Sequence, residues 1–347
     1  MSRVRSFLAS SLAVCLAACL ATLGFALAAT PAAAQEFTMK LATVAPDNTP
    51  WSDMLKGYKK AIEAKSGGRI KVKVYLGGTL GDENESVQGC KRGQIQAVGV
   101  STGALASQVP ELNVIELPFL FRDAKEADFA IDNVLGKEFD AIFPEYGFVL
   151  GFWSENGFRQ FGTKDRFVKT PADLKGKRMR SQESSVHLDM WKALGASPKA
   201  VPTTEVLTAL QNGTVDGFDQ ALLFAIAASW NTTVKYFTLS DHIYQPAVIV
   251  FHKAWFDALP ADLQKLVIEE GRAIQQSGRK QIRKLNPLLV EALKAEGKSV
   301  YQLTPAEAAV FEKATLGVRK QFRQRTGARA AALLDKVEAA LAKKRAK

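Results

Sequence analysis

The chain has 347 residues, with 46 lysines and arginines against 35 aspartates and glutamates and a formal net charge of +11. That length suffices for two domains of roughly 100–200 residues each. The basic excess sits on helical faces, at Lys343, Lys344, Arg345 and Lys347 and between Arg272 and Lys284. It lacks the interleaved aromatics of a nucleic-acid surface, which excludes that partner class and leaves a mild preference for anionic ligands.

The first residues read as an export signal. Arg3 and Arg5 form a basic start, Phe7 to Ala29 is apolar, and Pro31-Ala32-Ala33-Ala34 offers a small-residue cleavage site after Ala34. Leu16-Ala17-Ala18-Cys19 is a competing lipoprotein box, but cleavage there leaves Leu20 to Ala29 as an apolar tail. Removal of residues 1–34 takes away two arginines and no acid, so the charge falls to +9. No later apolar run reaches the ~18 residues of a membrane span. The expected product is an exported, soluble, periplasmic protein. Cys15 and Cys19 lie in the signal, which leaves Cys90 alone and no internal disulfide.

The mature chain opens strand, helix, strand. FTMKLATV (37–44) is a strand. Thr49-Pro50 starts a helix with Trp51, Met54, Leu55, Tyr58 and Ile62 at helical spacing, stopped by Gly67-Gly68. RIKVKVYL (69–76) alternates apolar and polar residues as a strand does, a helix follows over about 83–92, and QIQAVGVS (94–101) is the next strand. The alternation predicts a parallel sheet with helices on its faces. The pattern restarts at FVLGFWS (148–154). It continues through a short helix opened by Thr170-Pro171, strand KRMRS (177–181), helix 184–196, a helix capped by Thr203 or Thr204, and strand VDGFDQ (215–220). PAVIVFHK (246–253) is a late strand. A helix from Pro260 to about Glu296 follows, with Pro287 as a possible kink. Thr304-Pro305-Ala306-Glu307 is a capping box for the next helix, which runs toward Gly327, and one more helix closes the chain.

Familiar catalytic patterns are few. There is no G-x-G-x-x-G, P-loop or H-E-x-x-H, so no cofactor or metal is expected. Gly99-Val100-Ser101-Thr102-Gly103 matches the G-x-S-x-G elbow of serine hydrolases, with Asp216 or Asp219 as a candidate acid and His242 or His252 as a candidate base. The same residues also suit a ligand site, because Ser101 and Thr102 offer hydroxyls at a strand end. Arg178 and Arg180 in GKRMRSQES raise a sharper question. Arg178 reads as a surface charge, whereas Arg180 ends a short strand just before a helix.

Six segments in order resemble the solute-binding subunit of tripartite ATP-independent periplasmic (TRAP) transporters, the DctP type. They are YLGGTLGDENESVQGCKRGQI (75–95), NGFRQFGT (156–163), DLKGKRMR (173–180), LGASPKAVPTTEV (194–206), ALQNGTVDG (209–217) and LPADLQKLV (259–267). The resemblance implies an α/β fold of two lobes with a hinge and a long domain-spanning helix. Lobe I is expected from 35–156 plus about 246–284, lobe II from 157–245 plus about 285–347. It further implies that the lobes close over a small organic acid and that the protein, a monomer in that family, delivers it to membrane permease subunits driven by an ion gradient. Arg180 falls on the arginine that holds the ligand carboxylate, with Arg159 as a second contact; the competing role for Arg180 is a structural ion pair with a carboxylate such as Glu183. Gln220 falls where many members carry an asparagine that reaches the ligand, and Thr203 where many carry an aromatic wall. Members with an acid near Ser101 have lost it here, which favours a ligand without an amine. Trp51, Trp153 and Phe158 are each either cleft wall or core. The competing functions are the receptor of an ATP-driven importer, a sensor input, and a secreted serine hydrolase using Ser101.

Overall fold

The computed structural model describes residues 36–346. The predicted signal, its cleavage site and the lipoprotein box at Cys19 lie outside the described residues. Strand β1 (Phe37–Ala42) is followed by helix α1 (Pro50–Lys65), β2 (Ile70–Tyr75), α2 (Glu83–Lys91) and β3 (Ala97–Ser101). Thr49 and Ser52 cap α1 reciprocally, with Pro50 where no backbone donor is needed. Along β2, Ile70 and Val72 are buried while Lys71 and Lys73 are exposed, so one face meets the core and the other meets water.

A run of short helical turns over 102–146 leads to β4 (Phe148–Phe158). Arg159 then separates β4 from β5 (Gln160–Thr163). Next come β6 (Arg178–Ser181), α3 (Ser185–Ala193), β7 (Ser197–Ala200), β8 (Gly217–Gln220), β9 (Tyr236–Leu239) and β10 (Tyr244–His252). The chain ends with α4 (Ala261–Ala295), β11 (Ser299–Gln302), α5 (Pro305–Thr326) and α6 (Ala328–Arg345). Among the described residues no helix is long and apolar enough to cross a membrane.

Two sheets form, in the orders β2-β1-β3-β10-β4 and β11-β9-β5-β8-β6-β7. The βαβ pattern predicts parallel sheets, and both are mixed. β10 runs antiparallel to β3 and β4, and β5 antiparallel to β8 and β9. The reason is the double crossing. The chain leaves the first sheet through β4 into β5 and returns through β9 into β10, so each sheet receives a strand of reversed direction. The sequence reading misses β5, β7, β9 and β11, four-residue strands too short to show a period.

The third crossing is α4. Leu263, Val267 and Ile282 pack in the core of the first lobe, whereas Leu293 packs with Val206, Leu210, Phe218, Trp230 and Phe237 of the second. Tyr58 donates a 2.8 Å hydrogen bond to the Val267 carbonyl. Arg279 grips Asp128 and Asp132, and Arg283 grips Asp128 and Glu155. Beyond that clamp Pro287 sits inside the continuous helix, where it removes one backbone donor and softens the ladder. α5 packs on α3, and α6 packs on residues 110–114 and 130–135.

Candidate ligand-binding site

Arg180 lies on β6, paired in register with Lys199 of β7 and Phe218 of β8. Its neighbour Met179 points into the core, so strand alternation turns Arg180 to the other face. The side chain is only 1% exposed. Nε donates to the Val201 carbonyl (3.1 Å) and Nη2 to the Thr203 hydroxyl (3.2 Å), and the guanidinium carbon lies 5.2 Å from the centre of the Trp230 ring. Nη1 has no partner, and among the described residues Arg180 makes no ion pair. Burial, followed by the charge of Arg159, lowers its pKa to about 10, so it stays charged at neutral pH. Asp219, Glu83 and Asp82 offset this only at longer range; a buried cation without a directly bonded carboxylate is costly, and here one donor also lacks an acceptor.

Arg159 is held differently. It sits on the link between the two sheets, fully buried. Nε and Nη2 engage the carboxylate and main-chain oxygen of Asp219, while Nη1 donates to Gln220 Oε1 (3.2 Å) and Gln245 Oε1 (2.7 Å). His242 Nε2 lies 3.2 Å from the same carboxylate, stacks on Phe161 and contacts Ser240 through Nδ1. Burial raises the Asp219 pKa, but Arg159 and His242 outweigh it and hold the carboxyl well below its usual range. Arg159 is therefore already neutralised by the protein.

The first turn of α2 meets the second lobe at three consecutive residues. Asp82 Oδ1 accepts from the Thr204 backbone (3.3 Å), and the Asn84 amide donates to Glu183 (2.7 Å). Between them Glu83 Oε1 accepts from the Ser101 backbone (2.7 Å), and Oε2 lies 3.4 Å from the Thr203 hydroxyl and 3.5 Å from the Gln182 amide. Burial and the adjacent Asp82 charge push the Glu83 carboxyl up to about 7. Gln182 joins the lobes again: its amide donates to the Ser101 hydroxyl and its oxygen accepts from Gln245 (2.6 Å). Gln245 also donates to Glu116 (3.1 Å), which contacts His187 Nε2 (2.6 Å) and accepts from Thr102.

Arg180, Thr203, Ser101, Thr102, Gln220 and Arg159 thus lie on one buried polar network between the lobes. Glu183 does not pair with Arg180, because Asn84 takes it. Trp51 is buried, with its indole N–H donating to the Glu155 carbonyl (3.0 Å), beside a cavity of about 20 Å³ shared with Asn156, Leu223, Phe224 and Ala227. Trp153 packs on Phe139, and Phe158 on Tyr244. The expectation that no acid stands near Ser101 fails: Glu83 approaches it from another element, 18 residues away in sequence. The sequence reading also passes over Gln182, Gln245 and Trp230. The acidic run after Gly81 marks the first turn of α2, but no local signal marks Gln245.

A hydrolase arrangement is not formed by these residues. The Ser101 hydroxyl caps the turn at Ala104 and accepts from Gln182, with no histidine among its partners. His242 is committed to Asp219 and Ser240, and Asp216 is paired with exposed Arg178. His252 lies five residues along β10 from Ala247, the partner of Ser101, a span of about 17 Å.

The DctP model, bacterial extracellular solute-binding protein family 7, matches residues 41–325. A solute-binding protein of Verminephrobacter eiseniae is 35% identical, over 85% of this chain and 88% of its own. Two solved structures superpose along nearly their whole length. The sugar acid binding protein DctPAm of Advenella mimigardefordensis, in complex with galactonate, has a TM-score of 0.83 at 28% identity, covering 87% of this chain and 98% of its own. A TRAP periplasmic solute binding protein of Ralstonia eutropha, with bound (S)-2-acetolactate, has a TM-score of 0.83 at 28% identity, covering 88% and 99%. With its two lobes of mixed sheet and the polar network between them, the chain belongs to the DctP family of TRAP solute-binding proteins.

Proposed function

We propose that this protein captures a monocarboxylate bearing hydroxyl groups, by closing its lobes around it. The observation that carries this is Arg180, a buried guanidinium with no ion pair and one unpartnered nitrogen. A ligand carboxylate supplies the missing charge and acceptor together, in the parallel geometry that arginine favours. One carboxylate is the natural number, because Asp219 already neutralises Arg159. Glu83, beside Arg180 and half-titrated near neutrality, suits a ligand hydroxyl, which can donate to the carboxylate or accept from its protonated form. The galactonate and acetolactate held by the two similar proteins have this chemistry. Export of the mature chain to the periplasm and hand-over to membrane permease subunits complete the reading.

The test is a thermal-shift screen of the mature protein against hydroxy acids, dicarboxylates, neutral sugars and amino acids. A ligand at about 100 times its dissociation constant adds roughly 2.7 kcal/mol of stability. Hydroxy acids are expected to give the shift. In Arg180→Ala, binding weakens by about 2–5 kcal/mol, the range for truncating one partner of a buried charge pair. Unchanged affinity in that variant, or a stronger shift with neutral sugars, refutes the proposal.

A further inference from the structure

Three segments that cross between the lobes, the β4–β5 link, the β9–β10 link and α4, put residues on a second pocket, outside the polar network. Its volume is about 250 Å³. Phe158 and Gln160 come from the β4–β5 crossing, Leu239 and Asp241 from the β9–β10 crossing, and Asn286 and Pro287 from α4. Arg159 lies between Phe158 and Gln160 and reaches toward Asp219, Gln220 and Gln245. Side chains alternate along an extended chain, so Phe158 and Gln160 face away from it. The pocket therefore lies behind the hinge, on the face opposite the cleft. The α4 wall at this point contains the helix proline, the position with least resistance to bending.

We infer that this rear pocket sets the balance between open and closed forms, and with it the affinity of the cleft. The argument is that of a lever. The lobes touch across the cleft at Asp82–Thr204, Asn84–Glu183 and Gln182–Ser101. When these contacts part, the lobes swing about the crossings and the walls behind the hinge approach one another. The pocket is then wide in the closed form and narrow in the open one. Bulk placed in it penalises opening and leaves the closed form undisturbed. Since binding requires the closed form, a tenfold rise in its population in the free protein lowers the apparent dissociation constant about tenfold. The residues lining this pocket tune affinity without touching the ligand, and that second consequence rests on the carboxylate-capture reading above.

The experiment introduces an indole from the exposed wall, Asn286→Trp, with Asn286→Ala as the control that adds no bulk. Gln302→Trp reaches the same pocket from β11 and replaces the first variant should that fail to fold. Spin labels at Lys60→Cys on α1 and Lys175→Cys in the second lobe report lobe separation, and buried Cys90 stays unlabelled. Without any ligand, the distance distribution in the tryptophan variant is expected to shift toward the short, closed separation, while the alanine variant matches the parent. With D-galactonate as the probe, the tryptophan variant is expected to bind more tightly, through slower dissociation. An unshifted distribution, or a shift toward the open separation, in both tryptophan variants overturns the inference. A shift to the closed form with no tightening for any acid keeps the hinge inference and removes the carboxylate reading instead.

Discussion

Two buried arginines, 21 positions apart in sequence, have opposite electrostatic settings. Arg159 is matched by Asp219, whereas Arg180 makes no ion pair among the described residues and keeps one nitrogen without a partner. Glu83 adds a titration to this setting. Its pKa rises from 4.5 to about 7 in the folded protein. Between those values the folded state keeps a proton that the unfolded chain has released. Stability is therefore highest below about pH 4.5 as far as this group is concerned, and it falls as pH rises through about 7, by about 3 kcal/mol in total. Glu83→Gln is expected to remove this fall: urea midpoints measured at about pH 5 and about pH 8 should differ less in the variant than in the parent. An unchanged difference would place the titration elsewhere. Arg180 was legible in the sequence because a cation at a strand end in an apolar setting is rare. Glu83 was not, because its burial depends on contacts with Ser101, Gln182 and Thr203, which only the assembled lobes bring together. Arg159 was singled out through the NGFRQ segment, and it lies in the buried network between the lobes, while its neutralisation by Asp219, 60 residues on, was not legible.

At the scale of elements, α4 is the most informative. Its span was legible almost to the residue, since Pro260 opens it and apolar residues recur along one face. Its intimacy with the first sheet was not. A methyl group on Gly271 would overlap the ring of Phe152, whereas one on Gly278 would meet the sulfur of Met54 at 2.8 Å. Phe152 is locked in the core beside Tyr58; the thioether of Met54 has rotamers to spare. Gly271→Ala is therefore expected to cost about 1–3 kcal/mol, the usual range for overpacking, and Gly278→Ala clearly less, as read from their melting temperatures. Equal losses would mean that α4 shifts as a rigid rod. The short strands β7, β9 and β11 stayed hidden for a different reason. They are ordered by their neighbours in the sheet, and four residues carry too little pattern to announce themselves.

At the scale of the molecule, the presence of two α/β units was readable from the repeated pattern, but the strand at Phe148 that marked the restart closes the first sheet, and the second begins at Gln160; the mixed sheets were not readable either, because strand direction depends on which sheet a crossing segment joins. That same strand order bears on how the chain acquires its structure. Ser101 of β3 pairs with Ala247 of β10, so the centre of the first sheet cannot close until the whole β5–β9 stretch has been made available. The second sheet needs no such wait: five of its six strands lie between Gln160 and Leu239. Closing the longer loop demands more chain entropy before any contact rewards it, and non-local pairing is correspondingly slow. In pulse-labelled hydrogen exchange during refolding, amides of β5 and β8 should gain protection before those of β3 and β10; the reverse order would contradict this. A chain that emerges amino end first can pair β1 with β2 and β3 early, but it leaves the other edge of β3 open for the longest time, and the interval before β10 covers that edge is when it most needs protection from aggregation.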